Sequence, residues 1–223
     1  MTQRSKAPSD LGRLCEAGAA LLALIVLSPL LALLAAAVLW SDGAPVFFRQ
    51  KRIGKHGRPF QIYKFRTMYK AGHKTGTSGL PITVANDRRI TKAGDWMRKF
   101  KLDELPQLIN VARGEMSLIG PRPEVPEYVR FDDSVWREVL STRPGITDLA
   151  SLAYRNEEEV LLPAADPDTF YRTVILPEKL RLNVAYQKSR SLSRDLRLLW
   201  LTARYSFFPA RFDRDRVLRS LSR

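Results

Sequence analysis

The sequence predicts a mainly helical α+β fold, with an apolar N-terminal segment set against a strongly basic remainder. Three observations carry this reading. Residues 17–40 contain no charged side chain, residues 45–68 have strand composition broken by one turn, and the chain returns to helical periodicity from Pro177 onwards. At 223 residues the chain is long enough for one domain with an appendage and a sizeable core. Hydrophobic residues at 45% and charged residues at 27% exclude a disordered chain. The 37 Lys and Arg against 23 Asp and Glu leave a formal charge of +14, which favours anionic partners: nucleic acid, phosphorylated small molecules or the anionic face of a membrane. The single cysteine, Cys15, excludes an internal disulfide, and two histidines are too few for a typical zinc site.

The apolar run comes first. Its centre reads LLALIVLSPLLALLAAAVLW over residues 21–40. A straight helix over residues 17–40 would be ~36 Å long at ~1.5 Å per residue, against ~30 Å of bilayer hydrocarbon. The run is too long for a signal peptide and lacks a small-x-small cleavage site, and a buried soluble helix rarely goes uncharged for so long. Ser28-Pro29 interrupts it. Pro29 removes a backbone donor and clashes with the carbonyl of Ile25, and Ser28 can bond back to the backbone and ease a bend. Arg4, Lys6 and Arg13 precede the run while Arg49, Lys51, Arg52, Lys55 and Arg58 follow it, so the positive-inside rule gives no orientation. A re-entrant hairpin returning both ends to the cytoplasm satisfies both sets, and a kinked spanning helix also tolerates the proline. The residues alone leave these two readings open.

Residues 45–68 read as a β-hairpin turning at GKHGR. Residues 71–85 are rich in Gly, Thr and Ser and read as a surface loop. Residues 87–113 are helical in character, as two helices meeting near Leu102. Residues 116–120 form a short apolar strand or turn leading into Pro121-Arg122-Pro123, and 143–147 read as another turn. Residues 156–168 read as an acidic, proline-containing loop. Near the end, at ~100° per residue, Leu192, Leu196, Leu199, Trp200, Ala203 and Phe207 share a helix face opposite Arg190, Arg194, Arg197 and Arg204, with Leu198 and Leu201 breaking the polar side. Such a helix suits a membrane interface; packing of its apolar face on the domain core is the plainer reading.

The octet Lys101-Leu102-Asp103-Glu104-Leu105-Pro106-Gln107-Leu108 holds the most chemistry. Pro106 is tolerated only in a first helical turn, which puts the helix start near Asp103. Two carboxylates there feel the positive helix end, worth roughly 0.3–1 kcal/mol each, and the free N–H groups receive anions. Arg98, Lys99 and Lys101 lie just upstream to meet the charge. Asp103 also has a simpler reading as a helix cap. In Gly120-Pro121-Arg122-Pro123-Glu124, two prolines present Arg122 from a stiff backbone, which suits bidentate phosphate recognition.

Taken in order, Ser28-Pro29, Lys64-Phe65-Arg66-Thr67-Met68, Arg98, Leu102-Asp103-Glu104-Leu105-Pro106-Gln107, the run from Met116 to Glu124 and Arg143-Pro144-Gly145-Ile146-Thr147 closely resemble the bacterial sugar transferases. These are monotopic phosphoglycosyl transferases; the chain resembles their small members, and the match runs from about Leu11 to Tyr205. The resemblance implies transfer of a phospho-sugar from a UDP-sugar to polyprenyl (undecaprenyl) phosphate with release of UMP, the first membrane step of exopolysaccharide or lipopolysaccharide assembly. It implies Asp103 as the nucleophile that forms an aspartyl phospho-sugar, and Glu104 as the ligand of Mg²⁺. Arg98 and Arg122 carry over as phosphate or nucleotide ligands, with Pro121, Pro123 and Glu124 of the same motif in the substrate site and Lys64 and Arg66 as further candidates.

With the resemblance, Ser28 and Pro29 become the bend of a re-entrant membrane hairpin, and the C-terminal helix becomes an interfacial one. The expected organisation is a membrane segment over 1–42, a cytosolic catalytic domain over 43–190 and an amphipathic basic helix with tail over 191–223. The implied location is the cytoplasmic face of the bacterial inner membrane, with anionic lipid and downstream glycosyltransferases as partners and no nucleic acid. One departure limits the carry-over. Many relatives continue after Thr147 with Gly-Trp-Ala-Gln, whereas this chain has Asp148-Leu149-Ala150-Ser151 and then Glu157-Glu158-Glu159, so donor sugar identity does not transfer. A membrane-tethered basic module for nucleic acid or anionic lipid is the alternative, but a pure anion binder gains nothing from Asp103-Glu104.

Overall fold

The computed structural model describes residues 10–69, 83–85 and 87–221; the expected loop over 71–85 falls largely outside them. The uncharged run forms two helices, α1 (Asp10–Val26) and α2 (Ser28–Asp42), bent by 64° where they meet. Pro29 explains the break. Its ring nitrogen cannot donate to the Ile25 carbonyl, and the Ser28 hydroxyl donates to that oxygen instead, at 2.7 Å. The chain therefore turns without leaving a bare acceptor. Among the described residues no single helix is long and apolar enough to cross a membrane, and α1 and α2 reach that measure only as a bent pair.

The expected hairpin is present as β1 (Phe47–Ile53) and β2 (Pro59–Phe65), antiparallel, with Phe47 opposite Phe65 and Ile53 opposite Pro59. Thr91 then caps α3 (Lys92–Lys99), its hydroxyl accepting from the Gly94 N–H at 2.9 Å. Lys101 takes left-handed backbone, φ +58°, which ends that helical run. A 3-10 turn over Leu102–Glu104 follows, and α4 (Gln107–Ala112) begins only after Pro106. The helix start expected near Asp103 is thus displaced, because the tight turn after Lys101 takes up Leu102–Glu104 and Pro106 becomes the cap.

A second correction concerns residues 143–147. They are not a free turn: β3 (Ser117–Ile119) pairs in parallel with β4 (Gly145–Thr147), Ser117 opposite Gly145 and Ile119 opposite Thr147. Glycine is required on both sides of this contact. A Cβ on Gly145 would lie 2.1 Å from the Gly120 nitrogen, and one on Gly120 would lie 2.3 Å from the Arg143 carbonyl oxygen. The crossover between the strands includes α5 (Ser134–Val139).

Six more helices complete the described chain: α6 (Leu149–Ala153), α7 (Glu157–Leu161), α8 (Pro167–Phe170), α9 (Leu176–Lys188), α10 (Leu192–Phe207) and α11 (Arg214–Leu221), with a π-helical turn over Tyr171–Ile175 joining α8 to α9. The acidic loop expected over 156–168 therefore holds a helix. Glu157, Glu158 and Glu159 occupy the first turn of α7, where the helix dipole favours them, and Leu161 at its end is fully buried.

Side chains of Val125, Tyr128, Trp136, Leu161, Ile175 and Leu180 form one core cluster around α9. A second seats Leu198, Leu201 and Tyr205 of α10 on Ile119, Leu149 and Leu152. So α10 does pack on the core, but through the two leucines that break its polar side, and Leu192, Leu196, Trp200 and Phe207 stay exposed. The bent pair is seated too. Ala20 of α1 packs with Ile62, Leu108, Val111 and Met116, while Leu34 and Val38 of α2 pack with Phe65 and Met97. Glu16 of α1 adds a polar clamp: it accepts from the Ser117 hydroxyl at 2.5 Å and pairs with Arg143 at 3.2 Å.

Candidate active site

A cavity of about 830 Å³ lies where β2, the 3-10 turn, the β3–β4 pair, α7 and α10 come together. Its walls are of two kinds. Lys64, Arg98, Asp103, Glu104, Arg122 and Glu158 supply charge, whereas Leu30, Leu105, Leu108, Ile146, Leu199 and Phe207 supply an apolar side.

Arg122 owes its placement to the strand pair. The Gly145 N–H donates to the Pro121 carbonyl at 3.0 Å, and Arg52 Nη1 donates to the Pro123 carbonyl at 3.0 Å. Both prolines are buried and act through their backbone, holding the segment that carries Arg122. The guanidinium forks onto Glu104, with Nη1 to Oε2 at 3.1 Å and Nη2 to Oε1 at 2.6 Å. Lys64, projecting from β2, donates to the same Oε1 at 2.8 Å. Burial works to raise the Glu104 pKa, but Arg122 and Lys64 outweigh it and hold the carboxyl well below its ordinary value. Burial has the reverse consequence for Lys64, pulling its pKa down to about 8 against the pull of Glu104.

Asp103 is the contrasting half of the pair. It is only 6% exposed, and its Oδ1 has no hydrogen-bond partner. Burial and then the neighbouring Glu104 charge push its pKa up, while Lys64 opposes them. It makes no capping bond, so the cap reading lapses. Two adjacent carboxylates are thereby driven apart: Glu104 is a fixed, fully bonded anion, and Asp103 lacks the bonds that would stabilise its charge.

The remaining expected site residues divide. Arg98 lines the cavity and pairs with Glu158. Glu124 lies in the wall within a buried network: it accepts from the Tyr171 hydroxyl at 2.7 Å and stands 3.7 Å from Arg52 and 3.8 Å from Lys179. Arg66 is not brought to the cavity. Its Nη2 donates to the Asp42 and Gly43 carbonyls at 2.8 and 2.7 Å and pairs with the Asp42 carboxylate, closing the C-terminal end of α2. Arg52, Arg155 and Tyr171 are among the cavity residues that the sequence does not assign. Nothing in their local pattern distinguishes the two arginines among 37 basic residues.

A buried carboxylate pair under a forked arginine, opening onto an apolar wall, has the character of an enzyme's active site. The family model for bacterial sugar transferases matches residues 9–209, and the chain belongs to that family. Over 150 residues it is 41% identical to the exopolysaccharide production protein ExoY of Sinorhizobium fredii, covering 62% of this chain and 66% of that one. It is 35% identical over 194 residues to the uncharacterized sugar transferase EpsL of Bacillus subtilis, covering 87% and 86%. The UDP-glucose:undecaprenyl-phosphate glucose-1-phosphate transferase of Xanthomonas campestris is 35% identical over 188 residues, covering 82% of this chain but only 36% of the longer protein.

Proposed function

We propose that the protein transfers a phospho-sugar from a UDP-sugar to undecaprenyl phosphate, as the opening membrane step of exopolysaccharide assembly. The observation that carries this is the buried, unpartnered Asp103 Oδ1 beside a Glu104 locked by Lys64 and Arg122. The names of the relatives in Xanthomonas and Sinorhizobium support it. An Asp103 carboxylate oxygen attacks the β-phosphorus of the donor, the bond to the bridging oxygen breaks, and UMP leaves with that electron pair. An oxygen of the acceptor phosphate then attacks the same phosphorus and returns Asp103 to a free carboxylate. Arg122 and Lys64 meet the charge that accumulates at the diphosphate.

The acidic pair also fits Mg²⁺, which binds through one or two carboxylates plus substrate phosphates; the ion supplies neutralisation of the diphosphate. Glu104 is its proposed ligand. Glu104 Oε1 and Oε2 already accept from Lys64 and Arg122, so Glu104 would hold the ion at the expense of one of those bonds. The apolar wall suits the isoprenoid part of the acceptor. The chemistry has a direct test. UDP-sugar alone should release UMP once per enzyme and leave phospho-sugar bound to the protein, and undecaprenyl phosphate should discharge it. Release of UMP only when both substrates are present would replace the covalent route with direct transfer.

The membrane setting is part of the same reading: a monotopic protein on the cytoplasmic face of the inner membrane. Leu21, Leu22, Ile25, Val26, Leu33 and Leu39 of the bent pair are 48–70% exposed, and Trp40 is 93% exposed. At ~1.5–3 kcal/mol for each such side chain fully removed from water, these six represent roughly 5–10 kcal/mol. That rivals the whole stability of a typical domain, ~5–15 kcal/mol, so lipid is the fitting environment. The exposed face of α10, with Trp200 and Phe207, meets the same need at the interface, and its arginines suit anionic lipid. With the 64° bend as a re-entrant turn, both ends of the pair lie on one side. Lys6→Cys and Lys51→Cys, made in a Cys15→Ser background, should both resist an impermeant thiol reagent added to intact cells. Replacing Ser28 and Pro29 by Leu favours straight helix by ~3 kcal/mol and should expose one of the two in part of the population. Labelling at one end with Ser28-Pro29 intact would mean the native pair spans the bilayer.

A further inference from the structure

The cavity holds more cations than its carboxylate pair engages. Lys64 and Arg122 are committed to Glu104, but three other guanidinium groups line the same space: Arg52, which is taken up by Gln50, the Pro123 carbonyl and Glu124, Arg98 from α3, and Arg155 from the turn between α6 and α7. Among the described residues Arg155 has no carboxylate partner. Its Nη2 donates to the Lys99 carbonyl at 2.6 Å, and its buried Nε has no acceptor. Burial pulls its pKa down, as expected for a cation taken partly out of water without an anion. The bond to Lys99 ties Arg155 to the backbone of the residue after Arg98, and both side chains line the cavity.

Arg98 differs in having a counter-ion, Glu158 in the first turn of α7. The adjacent Glu157 is engaged elsewhere, donated to by Lys179 at 2.8 Å. The Arg98–Glu158 pair is partly open to water, with side chains 21% and 38% exposed. Pairs so exposed are held weakly, and a dianionic phosphate presenting several acceptors to two arginines competes well against one carboxylate.

We propose that Arg98 and Arg155 form a second anion subsite, taking a phosphoryl group, and that Glu158 is the resident counter-ion which that group displaces. The proposal rests on the phosphotransfer reading above and adds Arg155 and the Glu158 exchange to it. The phosphoryl group comes either from the diphosphate of the nucleotide donor or from the phosphate of the lipid acceptor.

Calorimetric titration of the full chain in detergent micelles tests this with inorganic pyrophosphate, UDP and farnesyl phosphate as probes. Glu158→Gln keeps the shape and removes the charge, and should bind pyrophosphate about tenfold more tightly. Misfolding cannot imitate that gain. Arg155→Ala should weaken the same binding about tenfold, and in an Arg98→Ala background Glu158→Gln should add nothing, because the two act through one contact. A gain for UDP assigns the subsite to the donor; a gain for farnesyl phosphate assigns it to the acceptor. Affinities unchanged in Glu158→Gln for every probe, or a gain that survives Arg98→Ala, would overturn the subsite while leaving the reaction standing. A wild-type protein that binds none of the three would overturn both.

Discussion

Asp103→Asn is expected to lower turnover by about 10³-fold or more while leaving the protein at least as stable as before. An amide has nearly the carboxylate's shape but cannot attack phosphorus. The stability half follows from the electrostatics. Burial and Glu104 raise the Asp103 pKa in the folded state, so the folded chain holds this proton more firmly than the unfolded one. Stability contributed by this group therefore falls as pH rises through its unfolded value, and at neutral pH the ionised carboxylate is a burden on the fold. Removing the charge lifts that burden, the usual trade between a poised active site and a stable one. Thermal melting at pH 7 should show a midpoint equal or higher, and incubation with UDP-sugar should leave no phospho-sugar on the protein. Near-normal turnover would remove Asp103 as the nucleophile.

The second large effect belongs to Arg122→Ala. It removes both fork contacts to Glu104 and leaves that buried carboxylate with Lys64 alone. Breaking a fully buried pair from one side costs ~3–5 kcal/mol; with Arg122 itself 25% exposed, ~2 kcal/mol is the reasonable share here. Activity should fall by about 10²-fold or more, since the diphosphate loses the same cation. Arg122→Lys should recover only part, because lysine returns a charge without the fork. The pH profile gives an independent reading. Arg122 and Lys64 overcome burial to hold Glu104 ionised well below the usual carboxylate range, whereas the Asp103 pKa is raised, so the acid limb of the wild type should come from Asp103 alone. In Arg122→Ala the Glu104 pKa rises as well, and the acid limb of kcat/KM should steepen as a second carboxyl joins it. Matching acid limbs in the two proteins would deny Arg122 this role.

Local chemistry made the strongest parts of the molecule legible from sequence. The hairpin follows from β-formers around GKHGR, the bend from Ser28-Pro29, and the carboxylate pair from the octet around Pro106. What sequence did not yield was assembly across distance. A parallel pair of three-residue strands leaves no periodic trace, and the glycines that permit it, Gly120 and Gly145, look like ordinary turn residues until their backbones meet. For α10 the stripe was legible but its direction was not: Leu198 and Leu201 look like blemishes on a wheel, yet the core selects them. Arg66 and Lys64 are two residues apart and share a strand face, but the end of α2 captures Arg66. Arg155 carries no local signal, because its meaning depends on the Lys99 carbonyl and on what its neighbours leave unpaired.

The clamp made by Glu16 gives the molecule a mechanical character. Its carboxylate joins α1 to Ser117 and Arg143, which flank the strand pair, and that pair in turn anchors Pro121 next to Arg122. The chain of contacts from the apolar helix to the guanidinium is short and made of charge-assisted or backbone bonds, with little slack in it. A tilt of α1 is therefore a tilt of the strand pair, and in the proposed membrane setting bilayer thickness would be a lever on the spacing between Arg122 and the carboxylates. In the proposed membrane setting the helix pair would be a gauge as well as an anchor, setting how high the reacting phosphorus rides above the lipid.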